Sequence, residues 1–584
     1  MHHLIESLRR VFVTTWPSAV VALAAWISIV VCIDPAGSYP TMPQGPGLTV
    51  DEIFNVEQGV YLVEQSKNLG WLNLIPGTSV EAFRPVNGYN PDHPPLGRYW
   101  LGVHHQLTWW IAPPHQPDGP FVTACARTGS ATAFALTVWL IGAFVSIMSS
   151  STMSPSTASP PGGSARGATT FRHWAGPLAC LSLVLMPRVY GHAHLAALES
   201  ITNLTCTAAV LAIAAWWSGP APPTRRAALV AGVVMGLALL TKIQAVLIPV
   251  PVIVWSLLRW RQKAIEPLLV WGTTALVLFF AAWPYLWLDP VGHLLEYLGR
   301  TTNRATLNCF YFGTIYKDKA VPWHYPFVMF AVTVPVGLHA LGVLGVKKGD
   351  RSQGTGDRSQ KLIADEWRRW LLLACGLFPL IVFALPKVAV YDGERLFLTV
   401  FPLWAIFVGR GAASVLEITA RRSGVRLAKC GICVVIVLQA ASNWLVHPHY
   451  LSYYNLAVGG VSGAETLGLE MNYWGDGITR SLLEEAVTER GGFTSVEIRP
   501  SLHQFQNDDL LRQSPILRQR LVKDSDPSVG SAAKPLRFVF RRRADLSDDE
   551  FLKYHHSTGS GGRLAACDSV SRNENSDDTA RGHD

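Results

Sequence analysis

Charged residues are scarce in this sequence. Asp, Glu, Lys and Arg make up 15% of its 584 residues and hydrophobic residues make up 49%, whereas a soluble protein carries about 25% charged residues. A soluble protein of this length is therefore excluded, and the composition predicts an α-helical polytopic membrane protein. The formal net charge of +8 does not indicate nucleic-acid binding, because the basic residues cluster at the ends of apolar runs.

Signatures of several other protein classes are also missing. Cys430 and Cys433 form a CxxC without a second pair, so neither a zinc site nor a redox site is expected there. No soluble α/β domain for a nucleotide-sugar donor is visible, and no internal repeat of the kind that is usual in transporters is found. No small-residue cleavage pattern follows the first apolar run, which is interpreted as an uncleaved membrane span.

Long apolar runs predict eleven membrane spans. They are residues 11–33, 127–148, 174–190, 199–217, 228–243, 245–258, 268–288, 325–346, 370–386, 395–409 and 430–446. The short neighbours 228–243 and 245–258 are predicted to form a V-shaped pair inside the membrane. Basic residues concentrate in one alternate set of loops, which the positive-inside rule assigns to the cytoplasm. In this multi-pass cell-membrane protein the N-terminus is then cytoplasmic and the C-terminus extracytoplasmic.

The same pattern divides the chain into regions. Residues 1–446 form the transmembrane domain, and its first outer loop covers residues 34–126. A stretch rich in Ser, Thr, Pro and Gly, residues 149–173, is predicted to be a disordered cytoplasmic linker. Residues 447–556 form an extracytoplasmic region with a small α/β appendage, and the polar tail 557–584 is predicted to be disordered.

The first outer loop contains a polar stretch, Leu48–Tyr99, which lies between two apolar runs. Thr49 is a candidate N-cap with Glu52 three residues later, so a capping box and a helix are predicted here. Asp51 and Glu52 would lie in the first turn, where the helix dipole favours carboxylates. That both acids merely cap the helix is the alternative. Pro94 and Pro95 keep the preceding residues extended, and an amphipathic helix suited to a bilayer surface can begin directly after them.

Ionisable residues at the outer ends of the apolar runs predict a functional site, because charges at membrane depth are costly. Arg127, Lys242 and Arg395 are cations that suit a lipid-linked phosphate, although Lys242 could instead extend to the interface. A carboxylate opposite them suits a general base. Together they predict group transfer from a phosphate leaving group to a hydroxyl acceptor.

Three motifs in this order carry a resemblance to a known family. They are Asp51-Glu52, the segment His93–Leu96 with the sequence HPPL, and Arg127. This pattern resembles glycosyltransferase family 39, which includes protein O-mannosyltransferases, and the bacterial aminoarabinose transferases of lipid A share its fold. Further segments similar to bacterial members are GLALLTK at Gly236–Lys242, YDGERLFLTVFP at Tyr391–Pro402 and YWGD at Tyr473–Asp476.

The resemblance implies a GT-C membrane fold and an inverting transfer from a polyprenyl-phosphate sugar. It implies that Asp51 is the base that deprotonates the acceptor and that Glu52 helps to position a substrate. The residues expected to bind the donor phosphate or substrate are His93, Arg98, Arg127, Glu199, Lys242 and Arg395. No metal and no cofactor are expected, since fixed cations can neutralise a monophosphate leaving group and the sequence has no acidic cluster that demands a metal.

Several alternatives stay open from the sequence. The hydroxyl acceptor is a protein Ser or Thr, a lipid-linked sugar or a cell-surface glycan. A transporter or flippase for a lipid-linked precursor would use the same acids and cations along a translocation path. A non-catalytic scaffold with this fold would tolerate replacement of Asp51.

Overall fold

The computed structural model is mostly helical. It describes residues 2–33, 45–69, 79–114, 121–151, 171–302, 306–347, 357–471, 473–490, 496–499, 508, 510–511, 514–520, 536–540 and 567–570. The helices of the first half are α1 (His2–Val31), α2 (Val50–Leu69), α3 (Ser79–Ala82), α4 (Pro95–Ile111), α5 (Thr123–Ser151), α6 (Ala175–Val184), α7 (Pro187–His192), α8 (Glu199–Trp216), α9 (Arg225–Leu239), α10 (Pro249–Trp260) and α11 (Ile265–Ala281). The predicted α-helical class is confirmed.

The second half continues with helices and five short strands. The helices are α12 (Tyr285–Leu288), α13 (Pro290–Thr302), α14 (Tyr325–Thr333), α15 (Val336–Val346), α16 (Asp357–Phe383), α17 (Val400–Ser423), α18 (Val425–Val446), α19 (Gly460–Thr466), α20 (Arg480–Arg490) and α21 (Pro515–Arg520). The strands are β1 (Asn308–Tyr311), β2 (Thr314–Lys317), β3 (Val496–Arg499), β4 (Leu536–Phe540) and β5 (Cys567–Val570).

A helix lies at each of the eleven predicted spans. By length and composition, five helical stretches among the described residues could cross a membrane. They are Val13–Val31, Thr123–Ser149, Ile243–Ala281, Val400–Ser423 and Val425–Val446. The helix pair α14 and α15 adds a sixth if it counts as one span, and it is bent by 109°. The count of eleven crossings stays a prediction.

Proline explains the bend between α14 and α15. Pro335 starts α15, and the preceding Val334 has φ −103° and ψ 136°, which is extended backbone. A residue before proline disfavours the helical conformation, so α14 must end there. The break that the sequence predicts at 243–245 is also present, as a short 3₁₀ segment between α9 and α10 (Ile243–Leu247). The bent pair that could form a broken span thus lies at a different place from the predicted V-shaped pair.

Glycines let the central helices approach closely. A Cβ at Gly345 of α15 would lie 1.8 Å from the carbonyl oxygen of Phe407 in α17, and one at Gly411 would lie 1.8 Å from that of Leu341. Such close backbone contacts are the usual way in which membrane helices pack, since lipid supplies little hydrophobic driving force between them. Helices α5, α6 and α17 then enclose a large core of buried aliphatic and aromatic side chains.

The first outer loop builds the platform for the polar residues. Helices α2 and α4 cross at Gly59 and Gly102, where a Cβ on Gly102 would lie 2.1 Å from the oxygen of Gly59. Helix α4 begins directly after Pro94, as predicted. The Leu96 N–H donates to the carbonyl of Leu240 at 3.1 Å and so ties the start of α4 to the end of α9.

The C-terminal region contains helices and a small sheet. Strand β3 pairs in parallel with β4, and β4 pairs antiparallel with β5, while β1 and β2 form a separate hairpin. Strand β5 lies within the tail predicted to be disordered, and helix α5 extends to the start of the predicted 149–173 linker. Most of that linker, residues 152–170, lies outside the described residues, as does the rest of the tail.

Candidate active site

The two adjacent acids at the start of α2 have different surroundings. Glu52 is fully buried, and its Oε2 accepts hydrogen bonds from the N–H (2.9 Å) and the hydroxyl (3.1 Å) of Thr49. This is the contact of the predicted capping box from Glu52 to the N-cap. The Asp51 side chain is 28% exposed and contacts Arg395. The helix start therefore directs one acid inward and leaves the other accessible.

Glu52, the neighbour of Asp51, forms a buried ion pair with Arg127. The Arg127 Nε donates to Glu52 Oε1 at 2.7 Å and its Nη2 donates to Oε2 at 2.9 Å, and both side chains have no exposed surface. The same guanidinium donates to the carbonyls of Pro46 (2.9 Å) and Gly47 (2.7 Å). Arg127, expected from the sequence near the donor phosphate, thus lies in a buried pair that fixes the loop before α2.

Arg395 is the centre of the charged cluster that includes Asp51. Its Nε donates to Glu199 Oε1 at 2.9 Å, its Nη1 to Asp392 Oδ2 at 3.1 Å, and its Nη2 contacts Asp51. The guanidinium lies over the indole ring of Trp474, 4.5 Å from the centroid. Three carboxylates from three separate segments therefore meet on one arginine, and an aromatic face supports it through a cation–π contact.

Lys242 completes the cluster from the segment after α9. Its Nζ donates to Glu199 Oε1 at 2.6 Å, and its side chain is only 6% exposed. Glu199 therefore binds both Lys242 and Arg395 through one oxygen, while its Oε2 is buried and has no hydrogen-bond partner among the described residues. Lys242 is an ion-pair partner inside the protein and does not extend to the interface.

An unusual turn presents Arg395. Asp392 and Gly393 both have positive φ values, 56° and 62°, a conformation that is costly for residues other than glycine. Glu394 follows, fully buried, and accepts a hydrogen bond of 2.7 Å from Arg188 Nη1. Arg188 is itself held by the carbonyl of Tyr453 at 2.9 Å. This buried ion pair anchors the turn and thereby the direction of Arg395.

His93 is half-buried beside the cluster. Burial holds its pKa well below the ordinary value, and the positive charges of Arg98 and Lys242 lower it further. His93 is therefore neutral at physiological pH when no anion is bound. Arg98 is 1% exposed, and its Nε donates to Asn55 Oδ1 at 3.2 Å while its Nη1 donates to the carbonyl of Asn90. Arg98 thus joins α4 to α2 and to the loop that carries His93.

A salt-bridge chain fixes the other side of this loop. Arg300 donates to Asp92 at 2.6 Å and to Glu296 at 2.7 Å. Glu296 also accepts from the hydroxyl of Tyr285 at 2.6 Å, and this bond together with Arg300 lowers its pKa. The residue before His93 is in this way attached to α13. Arg300, Asp92 and Glu296 are roughly half exposed, so the attachment guides the loop more than it stabilises the fold.

The segment Tyr473–Asp476 closes over the site from the C-terminal side. The backbone carbonyl of Asp476 accepts from the Gly47 N–H at 2.7 Å. The Tyr473 hydroxyl lies 3.4 Å from His192 Nε2. These contacts attach the YWGD segment to the loop before α2 and to the end of α7.

The structure therefore brings four predicted site residues into one cluster, namely Asp51, Glu199, Lys242 and Arg395, with His93 beside it. Glu52 and Arg127 form the buried pair below, and Arg98 lies in the α2–α4 contact. Among the described residues, no group of three or more His, Cys, Asp or Glu side chains could hold a metal ion. Sequence reasoning did not assign roles to Asp392, Glu394 and Trp474, although the YDGER and YWGD segments were the signal for all three.

Comparisons with known proteins concern the fold. No protein-family model matches the sequence, and no curated protein matches it. The structure is similar to ArnT from Cupriavidus metallidurans bound to undecaprenyl phosphate, with 12% identity and a TM-score of 0.44 over 93% of this chain and 94% of that chain. The apo state of the same ArnT matches with 13% identity and a TM-score of 0.45, over 92% and 94% of the two chains.

A third similar structure is the archaeal oligosaccharyltransferase AglB from Archaeoglobus fulgidus, in complex with an inhibitory peptide and a dolichol-phosphate. Its identity is 13% and its TM-score 0.42, over 88% of this chain and 62% of that chain. All three TM-scores are below 0.5, so these similarities carry no argument about the fold of this chain or the role of any residue.

Proposed function

We propose that this protein is a membrane-embedded inverting glycosyltransferase that moves a sugar from a polyprenyl-phosphate donor to a hydroxyl acceptor. The observation that supports this most directly is the partly exposed carboxylate of Asp51, which contacts Arg395, while Lys242 and Arg395 are both bonded to Glu199 Oε1. A carboxylate base and cations for a phosphate leaving group are the two parts that such a transfer needs.

In the proposed reaction Asp51 is the general base. The acceptor hydroxyl oxygen attacks the anomeric carbon of the sugar, and its proton passes to the Asp51 carboxylate. The bond between the anomeric carbon and the phosphate oxygen breaks, and its electron pair leaves with polyprenyl phosphate. Attack opposite to the leaving group inverts the anomeric centre. General-base catalysis of this kind contributes about 10²- to 10⁴-fold to the rate.

Arg395 and Lys242 are proposed to bind the phosphate. Both cations are nearly buried, and charge-assisted hydrogen bonds to phosphate are stronger where water is excluded. His93 lies close enough to Arg395 and Lys242 for their charges to lower its pKa. Its imidazole is then neutral, and its N–H would donate a further hydrogen bond to the phosphate. The Glu199 carboxylate holds the two cations side by side through one oxygen.

Glu52, Arg127 and Arg98 are proposed as positioning residues. Each is fully or almost fully buried and bonded to protein groups. The carboxylate of Glu52 also accepts the Ala196 N–H at 2.6 Å, and Ala196 immediately precedes the segment that leads into Glu199. The pair therefore fixes the start of α2, which carries Asp51, relative to the start of α8.

The test is sugar transfer in membranes from a radiolabelled polyprenyl-phosphate hexose or pentose, with wild type and Asp51→Asn at equal expression. Asn keeps the size of the side chain but cannot take the proton. The matched control is Glu57→Gln, which removes an exposed carboxylate from the same helix α2. Loss of label transfer in Asp51→Asn alone supports the proposal. Equal transfer by both variants would contradict the base assignment.

Transport of a lipid-linked precursor is a second candidate, because the 109° bend between α14 and α15 is the kind of broken span that transporters use. The two candidates differ in their product. A transferase yields a labelled acceptor, and a flippase yields a labelled lipid in the opposite leaflet without a new glycosidic bond. The location is proposed as the outer face of a cell membrane, with the N-terminus in the cytoplasm and the C-terminus outside.

A further inference from the structure

We infer that Arg395 is shared between Asp51 and the donor phosphate, so that binding of the donor releases Asp51 and makes it available as a base. This inference rests on the proposed function, because it assumes that a lipid-linked phosphate binds at Arg395. It adds an order to the reaction. The donor binds first, and the acceptor is deprotonated only when the donor is in place.

The charges of the cluster provide the first argument. Arg395 contacts Asp51, Glu199 and Asp392, and Lys242 contacts only Glu199 among these carboxylates. Two cations therefore face three carboxylates before any donor is bound. A phosphodiester adds a further negative charge, and it would be repelled if all of these contacts persisted. One carboxylate has to give up its contact with Arg395.

Exposure determines which carboxylate gives way. The side chains of Glu199 and Asp392 are 2% and 6% exposed, so each would lose a charged hydrogen bond at a buried position that water does not reach easily. The side chain of Asp51 is 28% exposed and can exchange Arg395 for water or for an acceptor hydroxyl. Asp51 is the contact that is lost at the lowest cost.

The geometry of Arg395 allows this exchange without a large movement. The contact with Asp51 uses Nη2, while Nε stays bonded to Glu199 and Nη1 to Asp392. The indole of Trp474 lies against the guanidinium plane and keeps it oriented. Only the Nη2 hydrogen bond needs to pass from the carboxylate to a phosphate oxygen, and the guanidinium can remain in place.

The exchange has a chemical consequence. While Asp51 is paired with Arg395, the carboxylate oxygen that contacts Nη2 is occupied and is not available to an acceptor hydroxyl. Once the phosphate occupies Nη2, the carboxylate regains a free lone pair beside the anomeric carbon. Arg395 acts on the base through this contact and is in that respect a positioning residue, in addition to its contact with the phosphate.

The experiment measures binding of undecaprenyl phosphate to the purified full-length protein, with undecaprenol as the uncharged ligand. Asp51→Asn removes the competitor for Arg395 and is expected to bind undecaprenyl phosphate about three- to tenfold more tightly than wild type, although it is inactive in transfer. Binding of undecaprenol is expected to be unchanged. Glu57→Gln, which removes an equal charge from an exposed position of the same helix, is expected to bind both ligands as wild type does.

Each outcome of this binding experiment supports or overturns the inference about Arg395. Equal or weaker phosphate binding by Asp51→Asn overturns the inference and leaves the proposed function standing. Equally tightened binding by Glu57→Gln also overturns it, since the effect would then be one of general charge. If wild type does not prefer undecaprenyl phosphate to undecaprenol, the phosphate site itself is refuted and the inference fails with it. Should Asp51→Asn fold poorly, Asp51→Ser removes the same charge at a helix start and carries the same expectation.

Discussion

The guanidinium of Arg127 binds both carboxylate oxygens of Glu52, at 2.7 and 2.9 Å, and neither side chain has any exposed surface. The neighbouring Asp51 is partly exposed and pairs with Arg395 instead. One dipeptide thus supplies a structural anchor and a candidate base. The division follows from the helix geometry, because consecutive residues at a helix start point in directions about 100° apart.

Replacing Glu52 by Gln is expected to destabilise the protein strongly. The change leaves the buried Arg127 charge without its carboxylate, and breaking a buried pair in this way costs about 3–5 kcal/mol. The melting temperature of the purified protein should fall, together with its yield. Asp51→Asn is the matched change one residue earlier and should keep the melting temperature close to that of wild type. A stable Glu52→Gln protein would show that Arg127 does not depend on this partner.

Replacing Lys242 by Gln is expected to weaken donor binding more than turnover. Lys242 is one of two cations at the candidate phosphate site, and a charged hydrogen bond contributes about 1.5–3 kcal/mol, or roughly 10- to 100-fold in affinity. Glu199 keeps its hydrogen bond from Arg395, so the cluster is not left with an isolated charge. The KM for the labelled donor should rise by that factor. Lys67→Gln, at an exposed lysine bonded to Gln106, should leave it unchanged.

Part of this site follows directly from local rules of sequence. The capping box between Thr49 and Glu52, and the start of α4 after Pro94, depend on neighbouring residues and were predictable. The helical class and the polar character of the first outer loop follow from composition and hydropathy in the same way. The eleven crossings stay a prediction, since several of the corresponding helices are short or bent.

The pairing of charges could not be predicted from local pattern. Asp51 and Arg395 are 344 residues apart in the chain, and Glu52 receives the N–H of a residue 144 positions away. Only the packing of the helices decides which cation meets which carboxylate. The sequence therefore predicts these charged residues as candidates but could not show that Arg127 lies in the buried pair with Glu52, whereas Arg395 contacts the partly exposed Asp51.

Acidification is expected to destabilise the wild type through His93. Burial and the charges of Arg98 and Lys242 hold the pKa of His93 well below its ordinary value of about 6.5. Below pH 6.5 the unfolded chain therefore binds a proton that the folded protein does not, so the free energy of unfolding rises with pH in this window and falls on acidification. The melting temperature should drop from pH 7.5 to pH 5.5 by more in wild type than in His93→Gln.

The other histidines are the same in both proteins, so the difference between the two drops isolates His93. Identical drops would contradict a neutral His93. A bound anionic lipid adds a second check, because a phosphate beside His93 would favour its protonation and reduce the acid sensitivity of wild type alone.

The close approach of α2 and α4 is expected to be intolerant of one added methyl group. A Cβ at Gly102 would lie 2.1 Å from the oxygen of Gly59, and backbone atoms cannot rotate away. Gly102→Ala must therefore separate the two helices, which carry Asp51 and the segment after His93. We expect the free energy of unfolding to fall by about 1–3 kcal/mol and sugar transfer, measured at the same protein level, to fall clearly.

Gly376→Ala is the matched control, because a Cβ there meets nothing within 4 Å in helix α16. It should leave transfer unchanged and stability equal or slightly higher, since alanine favours a helix over glycine. Normal activity in Gly102→Ala would mean that the distance between α2 and α4 does not control the site.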